Sequence, residues 1–548
     1  MEMSLLLKTR DHFNDMFSEF RRYIAPAYYH DRCERSLHMN IYALHKREIL
    51  LSLAGFLSTF ILLLFIGLAG PRMIKLDVLE ASRIFEKNSI TNVTVQKSLL
   101  ISGPFKVKVP EMSSFSNRLC LWITFFIKGE RDSGAFQKQF TITINIRGKV
   151  NNETSEILHN PFPFASSRGV SRHHHLNCIE NLCDPIQALH LEYLDYTNYE
   201  IEIRFSELEH FDQKNPITDI QFTFQSVNPS FTSLTIWFRF IFLVITFSIA
   251  CWFMHSLVRY SIIDWSMEQK WTCFLLICVG LYDNPLYPLM YICDSSFPHI
   301  LEIFSQTTFL CSILLFYLVF FHGIRQNNRS FMKFYFPKLV IIGTLWLIIF
   351  YGASWSQTQK MEHPTLDESE AYEASSSLKL LNFFFHVFFI IYWIYLALLF
   401  LTAFTELRAM PYFDLRLKLQ AFFLVFTLTI SALVVVLSRP SFSNISDNII
   451  GEFDITRVPY LQLIPITYQN SSSTAFLSLF SVANLYVYSS ACFYYPSSTS
   501  LKDSRVIRDN PTLSMLNDSD EDVIYGSDVE HLSQSKLIEM QDDDDESD

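Results

Sequence analysis

Long apolar stretches recur along the chain and are separated by shorter polar segments. In windows of about 19 residues, eight of these stretches are long enough to cross a hydrocarbon core of about 30 Å. The pattern predicts a multi-pass α-helical membrane protein. The predicted spans cover residues 49–69, 234–254, 271–293, 304–322, 339–355, 380–402, 420–438 and 474–494.

The first span follows 48 mostly polar and basic residues and has no small-residue cleavage site, which predicts a signal-anchor helix that is retained. With the N-terminus inside, the inner loops carry nine Lys and Arg and the outer ones four. Because basic loops favour the cytosolic side, both termini are predicted to be cytosolic. The predicted divisions are a cytosolic segment 1–48, a helix 49–69, a lumenal or extracellular domain 70–233, a seven-helix bundle 234–495 and a disordered acidic tail 496–548.

Apolar residues alternate with polar ones in several parts of the predicted outer domain. This period of two is typical of half-buried antiparallel strands. About 160 residues with several such segments predict a β-sandwich. The clearest alternation is at Ile142, Ile144 and Ile146, at Tyr199, Ile201, Ile203 and Phe205, and at Ile220, Phe222 and Phe224.

Three cysteines fall in this domain, which would lie in an oxidising compartment. Cys178 and Cys183 are predicted to close a small disulfide loop, and Cys120 is predicted to be an unpaired buried thiol with Cys293 as a possible partner. The sequons that fall outside predict glycans at Asn92, Asn152 and Asn444.

The third span contains Asp283-Asn284-Pro285 near its middle. Proline interrupts a helix and releases polar backbone groups, and intramembrane charges usually face a cavity or the bundle interior. We therefore hypothesise a polar midplane cavity that involves Asp283, Asn284, Asn484 and His386. In the alternative interpretation, these residues have only structural roles. Asp283 would form hydrogen bonds with the backbone groups that the broken helix releases, and Asn484 would join two helices by a hydrogen bond. His386 would make a neutral interhelical hydrogen bond rather than serve as a pH-sensitive group.

Charge is distributed unevenly along the chain. Of the net charge of −12, the tail supplies −11, with fifteen acidic and four basic residues. A nearly neutral body with an acidic tail argues against a nucleic-acid partner. Ser519 and Ser527 precede acidic residues, which predicts phosphorylation and contacts with trafficking adaptors; a merely solubilising tail is the alternative. Arg239, among aromatic residues at the outer end of the second span, is predicted to snorkel to the interface.

Motifs of enzyme active sites, of phosphate-binding loops and of metal ligands are absent from the sequence. We therefore expect no catalytic activity, no cofactor and no metal site.

Four strings along the chain are distinctive: residues 237–240 (WFRF), 264–271 (DWSMEQKW), 410–418 (MPYFDLRLK) and 514–528 (SMLNDSDEDVIYGSD). These strings resemble the transmembrane protein 181 family, and the resemblance extends over nearly the whole chain. It implies a wider group that includes Wntless, in which a GOLD-type β-sandwich is attached to a seven-helix bundle. It also implies a role as a host factor for bacterial cytolethal distending toxin.

Two classes of function follow from these observations. The first is a receptor-like or cargo-sorting protein of the plasma membrane or the Golgi and secretory pathway. Its outer domain would bind a protein or glycan ligand, its bundle would hold a lipid, and a Wntless-like carrier of lipidated secreted cargo belongs to this class. The second is an ion-conducting or transporting bundle that uses the midplane cavity.

Overall fold

Eight helices in the described part of the computed structural model are long and apolar enough to cross a membrane. The structure describes residues 39–497 except 88–91, 114, 117, 129–135, 151–152, 157–169, 180–181, 195, 209–215, 261, 263–264, 294, 325–329, 363–364, 366–374, 407–413 and 438–472. The long helices are α1 (Lys46–Ala69), α2 (Pro229–Leu257), α3 (Met267–Tyr282), α4 (Ser296–Gly323), α5 (Phe336–Glu362), α6 (Ser376–Glu406), α7 (Asp414–Leu437) and α8 (Ser473–Phe493).

All eight predicted spans are confirmed as helices, but two of their bounds differ in a way that matters. Helix α4 begins at Ser296, where Ser295 caps its N-terminus, and not near residue 304. Glu302, which falls in a loop in the sequence prediction, therefore lies almost two turns inside the helix. Helix α5, the shortest of the predicted spans, reaches 27 residues and follows a π-helical turn at Phe331–Tyr335.

A β domain lies between α1 and α2, and the ten strands in its described residues are all antiparallel to their partners. Their hydrogen-bonded order is β1-β10-β3-β7-β6-β4-β9-β2, with β5 on β4 and β8 on β3. The strands are β1 (Ile74–Glu80), β2 (Phe105–Lys108), β3 (Leu119–Ile127), β4 (Phe136–Val150), β5 (Glu153–Glu156), β6 (Val170–Ile179), β7 (Leu182–Cys183), β8 (Ile186–Leu191), β9 (Asn198–Ser206) and β10 (Ile217–Val227).

The predicted alternation is confirmed by burial, since the apolar members of all three segments form part of one core. β4 and β9 pair in register so that Ile144 lies opposite Ile203 and their inward faces coincide. Phe105 on β2 contacts Phe222 on β10 at 5.2 Å between ring centroids, although the two strands lie far apart in the hydrogen-bonded order. The sheet therefore packs against itself around a shared aromatic core, as the sandwich prediction requires.

The β domain is joined directly to the membrane helices. β10 ends at Val227, the Asn228 side chain accepts a hydrogen bond from Ser230 N, and Pro229 occupies the first turn of α2. This sequence is typical of a helix start. Side-chain hydrogen bonds connect the domain to the bundle, among them Tyr193 Oη to the Ile292 carbonyl (3.2 Å), Thr232 Oγ1 to the Phe115 carbonyl (2.9 Å), and Arg172 Nε to Thr365 Oγ1 (2.9 Å).

Helix α1 packs within the bundle. Its Phe56 and Phe60 rings contact Phe426 on α7, both at 5.3 Å. Near its end, Gly67 approaches α8 so closely that an added Cβ would lie 2.9 Å from Thr474 Cα. A small residue at this point permits close contact between the two backbones, as in other membrane helix pairs.

Candidate functional site

Helix α3 is broken at the residues that the sequence singles out. It ends at Tyr282, and the chain resumes as a 3₁₀ turn over Tyr287–Tyr291. Asn284 between them adopts a positive φ of 47°, which Asn tolerates better than most residues. Its side-chain oxygen accepts a hydrogen bond from Leu286 N (3.1 Å). The break therefore places Asp283 and Asn284 on irregular backbone at the end of α3 nearest the β domain.

A buried ion pair stabilises the broken segment. Arg239 on α2 donates to Glu302 on α4, with 2.6 Å between Nη2 and Oε1, and only 2% of Arg239 and 6% of Glu302 is exposed. Glu302 also accepts hydrogen bonds from Asn284 Nδ2 and Gln306 Nε2. The guanidinium lies over the Tyr287 ring at 4.2 Å and donates to the Tyr282 carbonyl. Both charges are compensated, as burial in a membrane requires.

A second network of polar side chains begins at Asp283. Thr246 Oγ1 on α2 donates to Asp283 Oδ2 (2.7 Å) and lies 2.6 Å from the Tyr488 hydroxyl on α8, which in turn lies 3.1 Å from Asn484 Oδ1. Asp283 is fully buried, and its carboxylate also interacts with the side-chain amide of Asn484. That amide donates to the Phe480 carbonyl of its own helix as well (3.0 Å).

Asp283, Asn284 and Arg239 form the polar end of a cavity between α2 and the broken end of α3. Its volume is about 320 Å³. Trp237 and Phe240 of its apolar wall are 63% and 57% exposed and face away from the bundle interior. The cavity therefore has a polar end in the interior of the bundle and an aromatic side at the bundle surface. It is lined by Ile236, Trp237, Arg239, Phe240, Leu243, Asp283, Asn284, Pro285, Tyr287 and Pro288.

The four residues predicted to surround a cavity are only partly brought together. Asp283 and Asn284 line it. Asn484 lies behind Asp283 and joins the network through Tyr488. His386 does not line this cavity; its Nδ1 is 2.8 Å from the Asn382 carbonyl in its own helix α6.

The predicted snorkelling of Arg239 is wrong, and its partner Glu302 is not among the residues predicted from the sequence. Arg239 does not snorkel to an interface, because Glu302 compensates its charge inside the bundle. The available signal was Glu302 itself, a carboxylate two residues before the predicted fourth span. A helix extended by two turns would have placed it opposite Arg239.

The remaining predicted sites belong to the β domain, to the segment between α7 and α8, and to the tail. Cys178 and Cys183 form a disulfide that joins β6 to β7. Asn92 is exposed and caps the helix Val93–Ser102, with its Oδ1 accepting from Thr94 N. The other predicted sites lie outside the described residues: Asn152, Asn444, Ser519 and Ser527.

Comparison with known proteins places this architecture in a family. Residues 228–498 match the family model described as Wntless-like, transmembrane domain, and residues 103–227 match TMEM181, GOLD domain. The chain is 34% identical to human Transmembrane protein 181 over 496 residues, which covers 90% of this chain and 95% of the human protein. The chain belongs to the transmembrane protein 181 family. Its β domain is a GOLD domain, and the cavity lies within the Wntless-like part.

The GOLD domain contains a second buried polar cluster. Cys120 Sγ on β3 lies 3.1 Å from His190 Nδ1 on β8, and His190 Nε2 lies 2.6 Å from Glu192 Oε1. Burial opposes ionisation of Glu192, but the charges of Arg118 and His190 outweigh it and hold the pKa of Glu192 well below its usual range. Burial likewise opposes protonation of His190, but Cys120 and Glu192 raise its pKa. The cluster combines charges that stabilise one another.

We expect the substitution Glu192→Gln to destabilise the GOLD domain by about 1.5–3 kcal/mol at neutral pH, the range for a hydrogen bond to a charged group. Because the folded pKa lies below the unfolded value of about 4.3, this contribution is fully present above that pH and is lost as the pH falls through the folded pKa. Thermal unfolding of the purified chain, measured against the exposed control Glu111→Gln, checks this. A difference between Glu192→Gln and the wild type that stayed constant as the pH fell well below 4.3 would contradict it.

Proposed function

We propose that this protein is a receptor-like, cargo-sorting membrane protein that holds the lipid part of a ligand in the cavity between α2 and α3. One observation supports this most directly: the cavity combines an outward-facing aromatic wall with a closed polar end. An amphipathic ligand requires both. Its chain can reach the cavity from the surrounding bilayer while its polar end meets hydrogen-bonding groups.

The size and composition of the cavity support this proposal. About 320 Å³ lies at the lower end of the range of small-molecule sites, roughly 300–1,000 Å³. Such sites are mostly apolar and contain a few placed polar groups. Here Ile236 and Leu243 belong to the apolar wall, and Asp283 and Asn284 are the polar groups.

The GOLD domain lies at the same end of the bundle as the cavity. Phe115, in the segment before β3, contacts the Tyr291 ring at 6.1 Å, and Tyr291 ends the 3₁₀ turn after the cavity residues. A protein or glycan bound to this domain could therefore present an attached lipid to the bundle. This arrangement suits a carrier of lipidated secreted cargo, and the role in toxin entry that the family resemblance implies would use the same exposed domain.

The basic residues of the inner loops favour an orientation with both termini in the cytosol and the GOLD domain in the lumen or outside the cell. The acidic tail, with Ser519 and Ser527, would then be accessible to trafficking adaptors, and Asn92 would be accessible to glycosylation. This placement corresponds to a cargo receptor that moves through the secretory pathway and reaches the plasma membrane.

A conducting bundle is the alternative, and the packing supports it less well. Arg239 and Glu302 are bound to each other. Between the cavity and the far end of the bundle, large side chains such as Phe316, Tyr317 and Phe320 are almost fully buried in one apolar core. A continuous polar path would have to displace them.

The substitution Leu243→Trp should fill part of the cavity and exclude a lipid chain. We expect it to reduce labelling of the cavity by a photoactivatable fatty-alcohol probe several-fold in purified full-length protein, measured by peptide mass spectrometry of residues 229–257 and 283–291. Val244→Trp is the matched control, since Val244 is 49% exposed on the same helix and does not line the cavity. Equal labelling of both variants and of the wild type would refute the proposal.

A further inference from the structure

Charge at the polar end of the cavity is not balanced by the residues that surround it. Arg239 carries one positive charge, which acts on Asp283 as well as on Glu302. Two carboxylates therefore share one guanidinium. Glu302 has the direct contacts with it, together with the amides of Asn284 and Gln306. An ionised Asp283 would be a costly excess charge in a membrane.

Asp283 also has no positively charged partner of its own. Thr246 Oγ1 donates to Oδ2, and the side-chain amide of Asn484 interacts with the same carboxylate, but both of these groups are neutral. A carboxylate buried in a membrane protein is costly unless an opposite charge compensates it. Because Asp283 lines the cavity, a positively charged group of a ligand in the cavity can compensate it.

Arg239 is poorly suited to bind an anionic ligand. Its Nη atoms already contact Glu302 and the Tyr282 carbonyl, and its face lies over the Tyr287 ring. A phosphate or fatty carboxylate would have to compete with Glu302 for these donors, and it would approach the carboxylate of Asp283. The charges at the polar end therefore disfavour the headgroups of common anionic lipids.

The outer side of the cavity suits a cation. Trp237 and Phe240 form an edge-to-face pair with 6.5 Å between the ring centroids. The faces of such rings attract an ammonium group that lies over them. We propose that the cavity selects single-chain amphiphiles whose polar end is a protonated amine, with Asp283 as the acceptor of its N–H groups. This inference rests on the proposed function, because it names the class of lipid that the same cavity holds.

The test compares two photoactivatable probes of the same chain length, one ending in a primary amine and the other in a carboxylate, on purified full-length protein. We expect half-maximal labelling of the cavity at a concentration at least about tenfold lower for the amine, the ratio that one hydrogen bond to a charged group supplies. Asp283→Asn should remove this preference while labelling by the carboxylate probe persists. Asp219→Asn, in the GOLD domain, is the control and should leave the preference unchanged.

The outcomes separate this inference from the proposed function. Equal or stronger labelling by the carboxylate probe in the wild type overturns the amine preference but leaves a lipid cavity in place. An amine preference that survives Asp283→Asn overturns the role of Asp283. If neither probe labels the cavity, or if Leu243→Trp does not reduce labelling, both proposals fail. The wild-type comparison needs no variant and remains decisive if Asp283→Asn does not fold.

Discussion

Glu302→Gln is expected to destabilise the protein by about 3–5 kcal/mol, the cost of removing one partner of a buried ion pair. The amide keeps the shape of the side chain but leaves Arg239 without its direct carboxylate partner among aromatic rings. Thermal unfolding of the purified protein in one detergent measures the loss. A second substitution, Arg239→Met, should recover part of the stability, because it removes the stranded charge.

The matched control for this prediction is Glu202→Gln. Glu202 pairs with Arg204 at 2.7 Å, but the Arg204 side chain is 61% exposed, and exposed pairs contribute only about 0–1 kcal/mol. If Glu302→Gln costs no more than Glu202→Gln, the Arg239–Glu302 pair is not the buried contact described above. If the double variant is less stable than Glu302→Gln alone, the charge argument fails.

Phe222→Ala should destabilise the GOLD domain by about 3–5 kcal/mol, the range for removing a buried phenylalanine ring. Phe222 is fully buried and contacts Phe105 across the sandwich. The cavity left behind would separate β10 from β2. Limited proteolysis of the full chain should show faster cleavage within residues 70–233, while helices α2–α8 stay protected.

Leu76→Ala on β1 is the control for that substitution, since Leu76 is 44% exposed and lies outside the core. Loss of the membrane helices together with the GOLD domain in Phe222→Ala would show that the two parts unfold as one unit. Equal protease sensitivity of the two variants would contradict the packing of β10 against β2.

Much of this architecture could be predicted from the sequence because it depends on periodic patterns. Apolar runs predict the eight helices, and the alternation at Ile142–Ile146 predicts β4, because buried side chains recur with the period of the helix or strand that carries them. Pro285 also indicated the break in α3, since proline cannot continue a helix without losing a hydrogen bond. These features are encoded locally and need no knowledge of tertiary contacts.

The pairing of charges could not be read in the same way. Arg239 and Glu302 are 63 residues apart, and hydropathy places each near the edge of a predicted span, where solvent would be expected. The pair forms only in the folded bundle, where Arg239 on α2 and Glu302 on α4 come together beside the broken end of α3. The same limit applies to Cys120, His190 and Glu192, which come together only through the pairing of β3 with β8.

In the proposed function, the cavity between α2 and the broken end of α3 holds a lipid chain. A density map of the protein purified in mild detergent, at a resolution that shows bound lipids, tests it most directly. We predict elongated density that runs from Trp237 and Phe240 toward Asp283 and that disappears in Leu243→Trp. A map in which side chains collapse to fill this space, with no such density in the wild type, would contradict the account.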